Sequence, residues 1–179
     1  MSSRFVAGMT VEESLKAAEA VNREGIAVSL DSLGESVLDV AQAEASAAIY
    51  HRLIDEIETR GLKANVSVKL TQMGMDLDPG LAERIVGELV EHANAADTFV
   101  RIDMEGAEYT EATIAMTERL HARFPGRVGL ERVRSAVGRP AWTRSRCARA
   151  RLLSSVFQLV RAEKRMDLPC RSIARLLPE

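Results

Sequence analysis

The sequence predicts an α/β protein of successive parallel βα units, followed by an irregular basic tail. Strand and helix signals alternate at spacings of about 30–40 residues up to position 130, as in βαβ crossovers. The charge splits sharply: residues 1–126 carry a net −11 and residues 127–179 a net +9, so the overall −2 describes neither part. That asymmetry marks two sequence regimes. The periodicity then stops near Leu130, inside what reads as a strand.

The elements follow in order. Residues 10–24 open with Thr10 and Glu13 at capping-box spacing and close on Gly25, and Val11, Leu15, Ala18 and Val21 form an apolar stripe. Residues 26–31 read as a short buried strand. A long helix is predicted over 36–60, with Val40, Ala43, Ala47, Ile54 and Ile57 facing inward and Gly61 ending it. "NVSVKLTQMG", residues 65–74, alternates Val66, Val68 and Leu70 with Ser67, Lys69 and Thr71, a strand with a charged lysine on its second face. Asp78 and Pro79 start a helix over 79–95. A third strand lies near 98–104, a helix over 110–124 is stopped by Pro125-Gly126, and a fourth strand begins at Val128.

At 179 residues, 46% hydrophobic and 28% charged, the chain suits one soluble domain. No apolar run is long enough to span a bilayer, and the N-terminus has no secretory pattern. Cys147 and Cys170 are expected as free thiols in a reducing compartment. Phosphate-loop, dinucleotide, nucleophile-elbow and metalloprotease motifs are absent from the sequence, and no metal is expected.

In parallel β/α folds chemistry gathers at the C-terminal strand ends. These ends supply Asp31 and Glu35, Lys69 and Gln72, and Asp103 and Glu105. Alternation puts Ser67, Lys69 and Thr71 on one face of one strand and Arg101, Asp103 and Glu105 on one face of the next. If those strands are neighbours, Lys69 meets Asp103 at the mouth and can anchor an anion. The competing reading makes these side chains solvated strand ends, with Asp31 and Glu35 capping the next helix. His51, His92 and His121 are expected at the surface, and Met73 and Met75 as packing.

"RFVAGMTVEESLKAAEAVNREGIAVSLDSLGE", "ANVSVKLTQMGMDLDP" and "RIDMEGAEYTEAT" resemble the flavin-dependent proline dehydrogenases of the single-function bacterial type, from about Arg4 to Val128. The resemblance implies a (β/α)8 barrel, here incomplete, with FAD at its C-terminal mouth. It also implies oxidation of L-proline to 1-pyrroline-5-carboxylate and a quinone as electron acceptor. Lys69 matches a lysine that binds the proline carboxylate, and Asp103 an active-site aspartate. Met104 matches the residue whose backbone lies against the flavin, and Glu35 a glutamate that closes the substrate pocket. The implied location is cytoplasmic, or peripheral at the inner membrane.

Past Val128 this sequence departs from the family. Where the family reads "VGxVLQxYLxR" it has "VGLERVRSAVGR", with Val133 in place of a flavin-touching glutamine. The later "RLVKGAY" stretch and a paired-arginine motif are missing. The chain is therefore expected to comprise residues 1–129 as the N-terminal part of a barrel and residues 130–179 as a non-matching tail. That tail reads either as out-of-frame translation or, as the rival reading, as a basic appendage that binds nucleic acid or an acidic partner; with the first preferred, no nucleic acid is expected. As written, the chain is expected to be truncated, with little or no dehydrogenase activity. The alternatives are a non-catalytic α/β remnant or an unrelated binding module.

Overall fold

The computed structural model describes residues 7–34 and 36–130. The tail beyond Leu130, with its out-of-frame reading and with Cys147 and Cys170, lies outside the described residues, as does Glu35. Four strands, β1 (Val28–Asp31), β2 (Ala64–Val68), β3 (Val100–Ile102) and β4 (Val128–Leu130), form one parallel sheet in the order β1-β2-β3-β4. The helices are α1 (Val11–Arg23), α2 (Val40–Thr59), α3 (Pro79–Ala95) and α4 (Thr110–Arg123), with a 3-10 turn at Ala107–Tyr109 before α4. Each helix packs on its own strand and on the next helix along. Sequential strand order sets the helices against the sheet face that carries the core.

The helix ends follow from capping chemistry. Thr10 Oγ1 accepts from Glu13 N–H at 3.2 Å while the Glu13 carboxylate accepts from Thr10 N–H, closing the predicted box. Asp78 accepts from Gly80 N–H at 2.9 Å, and Pro79 occupies the first turn of α3. For α2 the cap is Asp39, which accepts from Gln42 N–H at 2.8 Å. The helix therefore starts four residues later than its periodicity predicts. Val40, expected inside, is 48% exposed because it sits in that first turn. Ala43, Ala47, Ile54 and Ile57 are buried as predicted. Arg60 binds Glu12, Glu19 and Glu56 at 2.7–2.8 Å and stitches α1 to α2.

The core lies between the helices and one sheet face. Val28, Leu30, Ala64, Val66, Val68, Val100, Ile102 and Val128 supply the strand side, and Leu15, Ile54, Ile85, Leu89 and Leu120 the helix side. Met73 and Met75 pack into it, as expected. The histidines depart from expectation. Nδ1 of His51 on α2 lies 2.8 Å from Nδ1 of His92 on α3, with the rings stacked, and His92 Nε2 meets Asp55 Oδ1 at 3.0 Å. Burial, then the neighbouring His92, holds His51 below the usual histidine range. His121 Nδ1 lies 3.3 Å from the Val128 carbonyl. All three are partly buried at helix contacts instead of facing solvent.

Candidate active site

Alternation along these strands sends every second residue to the face away from the helices. Register places Ser29 beside Asn65, and Asp31, Ser67 and Arg101 in one row across β1, β2 and β3. Polar groups on this face satisfy one another, as burial requires. Ser29 Oγ donates to Asn65 Oδ1 at 2.7 Å, and Arg101 Nε donates to Ser67 Oγ at 3.0 Å.

One step further along, Lys69 follows β2 and Asp103 follows β3. The Val68–Ile102 register and the Asp103 N–H donated to the Val68 carbonyl at 2.9 Å bring these two strand ends side by side, as predicted. Lys69 is 8% exposed. Asp103 Oδ1 accepts from the Ser67 hydroxyl and lies 3.4 Å from Arg101 Nε. Met104, partly buried, comes next in the loop after β3. Both Lys69 and Asp103 act electrostatically on Asp31, Lys69 favouring its ionised form and Asp103 opposing it.

The predicted alternation fails beyond these positions, and local hydrogen bonding explains why. After Lys69 the chain turns: Met73 N–H bonds the Leu70 carbonyl at 3.0 Å and Met75 N–H the same oxygen at 2.9 Å. Gly74, at φ +90°, makes the turn possible, since a Cβ there would also meet Leu81 Cδ2 at 2.9 Å. Thr71 therefore does not share a strand face with Ser67 and Lys69, and β3 ends before Glu105. Instead Glu105 accepts from Thr71 N–H at 3.0 Å and Thr71 Oγ1 at 2.5 Å, clasping the β2 and β3 loops together.

Asp31 does not cap α2. Its Oδ1 accepts from the phenol of Tyr50 at 3.1 Å, and Tyr50 is fully buried on α2. The same phenol oxygen accepts from Ser32 N–H at 3.2 Å and lies 3.3 Å from Gln72 Oε1. Burial, then the charge of Asp103, raises the Asp31 carboxyl to about 6. Sequence reasoning missed Tyr50. Its signal was present: one aromatic with a polar tip stands in the Ala43, Ala47, Tyr50, Ile54, Ile57 stripe. Among the described residues no group of three or more ligand-type side chains is placed to hold a metal, and no helix is long and apolar enough to cross a membrane.

A family model for proline dehydrogenase matches residues 14–131. Proline dehydrogenase 1 of Bacillus subtilis (strain 168) is 32% identical over 121 residues, covering 68% of this chain and 40% of the relative. Proline dehydrogenase of Deinococcus radiodurans is 32% identical over 131 residues, covering 69% of this chain and 41% of the relative. The chain thus spans about two-fifths of the length of these relatives. Among solved structures, proline utilization A from Bdellovibrio bacteriovorus inactivated by N-propargylglycine superposes with a TM-score of 0.66 at 18% identity, over 73% of this chain and 16% of that one. The Bradyrhizobium japonicum protein of the same name gives 0.55 at 21% identity, over 73% and 15%. These structures share the fold of the described segment.

Proposed function

We propose, from the premise that this chain belongs to the proline dehydrogenase family, that its strand ends form one arc of the mouth of a (β/α)8 barrel for flavin-dependent oxidation of L-proline to 1-pyrroline-5-carboxylate. The observation that carries this reading is the placement of Lys69 beside Asp103 on adjacent parallel strands, within the matched segment. A lysine ammonium at a mouth of low water content is a strong point anchor for a substrate carboxylate. Asp103, fixed by Ser67 and Arg101, presents a carboxylate toward the ring nitrogen of a substrate held that way. Glu35 would close the pocket on this reading.

FAD fits the described residues at one place only. The loop peptide at Met104 can lie against a flavin ring, but no glycine-rich phosphate cradle occurs among the described residues. Bound FAD would supply the hydride acceptor, with a quinone beyond it and peripheral contact with the inner membrane from the cytoplasmic side. The four strands among the described residues cannot by themselves close a barrel, and a dinucleotide held by many distributed contacts needs more than they supply. Little or no turnover is therefore expected from those four strands by themselves.

The test is a visible absorption spectrum of the purified chain after incubation with FAD, before and after anaerobic L-proline. No retained flavin band is expected, which withdraws the oxidation from this chain. A band that bleaches with L-proline overturns the expected inactivity and establishes the oxidation. A retained band that L-proline leaves unchanged removes L-proline as the substrate.

A further inference from the structure

The mouth holds two aspartates in different surroundings. Asp103 is engaged by the Ser67 hydroxyl and by the Arg101 guanidinium 3.4 Å away. Asp31, on the strand beyond Ser67, receives its hydrogen bond from a neutral phenol, that of Tyr50 at 3.1 Å. We propose that Asp31 is the proton acceptor of this mouth, taking the proton of the substrate's ammonium group, with Asp103 as a fixed acceptor and Tyr50 as the positioning residue that aims Asp31. The inference rests on the reading that the mouth takes an amino acid.

The chemistry demands such a group. An amino acid arrives as its ammonium form, and the nitrogen must shed a proton before its lone pair can assist loss of hydride from the adjacent carbon. In the proposed step an N–H bond breaks with its electron pair left on nitrogen, and an O–H bond forms on Asp31. A carboxyl does this well when it titrates close to the working pH. Burial and the charge of Asp103 lift Asp31 to about 6, against Lys69, the Tyr50 hydrogen bond and Arg101. Asp31 stands beside a neutral phenol and Asp103 beside a guanidinium, and two carboxyls in unlike surroundings are the usual mark of divided roles. Tyr50 is built to stay a donor. Burial, then the charge of Asp31, pushes its phenol well above the usual range, and Ser32 N–H fixes its oxygen from behind.

The test uses the full chain labelled with 13C at aspartate carboxyls and at lysine Cε, titrated by NMR with and without saturating L-proline. Asp31 is expected to show a midpoint near 6, and L-proline is expected to lower it, since an ammonium beside a carboxylate favours the ionised form. Cyclopentanecarboxylate, which lacks the amine, should shift Lys69 and leave the Asp31 midpoint unlowered. Tyr50→Phe should raise the Asp31 midpoint further without moving Asp103, because it deletes a bond that favours ionised Asp31; a merely structural role would not move one carboxyl selectively. Titration of Asp103 in place of Asp31 near neutrality overturns the proposal. So does a response of Lys69 to L-proline with none at Asp31, which leaves the amino-acid reading of the mouth intact. Silence at both residues overturns that reading and the proposal with it.

Discussion

The two faces of this sheet are made by alternate residues of the same strands, yet they are different materials. Toward the helices stand Val66, Val68, Val100 and Ile102, each 0% exposed. Away from them stand Asn65, Ser67, Lys69 and Arg101, each 9% exposed or less. Burial is therefore nearly equal and does not tell the faces apart; chemistry does. The apolar face stabilises through area removed from water, a non-directional effect. The polar face tolerates burial only because Ser29, Asn65, Ser67, Arg101 and Asp103 satisfy one another. One face holds the fold, and the other sets out the candidate site.

Neighbouring residues on opposite faces make that contrast measurable. Arg101→Leu removes the cation 3.4 Å from Asp103 and the donor to Ser67 Oγ, a loss of about 3 kcal/mol, and urea unfolding should show that loss varying with pH, because the contact is one between charges. Ile102→Ala, one residue on, should cost about 3 kcal/mol as an apolar cavity, with a shift in denaturation midpoint that does not vary with pH. Equal pH dependence for the two would break the contrast. Asp31→Asn has the smallest effect and the opposite sign. The folded carboxyl titrates at about 6 against an ordinary 3.8, so ionised Asp31 opposes folding, progressively from pH 3.8 to 6 and fully above 6. The amide should stabilise by about 2 kcal/mol at pH 7.5, less than the ~3 that a fully shielded shift of this size carries. The gain should vanish below about pH 4, as thermal melts across that range would show.

Much of this was legible in the sequence, and the reasons are local. Capping residues fixed the starts of α1 and α3, and alternation within β2 picked out Lys69 as a charge where a buried strand needs a reason for one. Its neighbour Asp103 followed from the assumption that consecutive strands pair, which they do. Alternation could not report where a strand ends. Thr71 and Glu105 were placed by extending it past Val68 and Ile102, whereas backbone turns redirect both. Asp31 looked like a helix cap because acids before a helix commonly are; the actual cap, Asp39, lies closer to the helix. Tyr50 and the His51–His92 contact were hidden for another reason. Each joins elements through side-chain tips, and spacing along one helix carries no information about what a tip meets on another.

The sequential strand order has a kinetic consequence. Every strand pairs with the strand that precedes or follows it in the chain, and partners such as Val66 and Val100 are one βα unit apart. The loops closed at each step are thus short for a parallel sheet, which limits the entropy each closure costs. Assembly can proceed unit by unit from the N-terminus as the chain leaves the ribosome. Each finished unit templates the next through its free strand edge. The first arc of such a sheet is then a folding intermediate in its own right, and its growing edge is the place where an interrupted chain would aggregate.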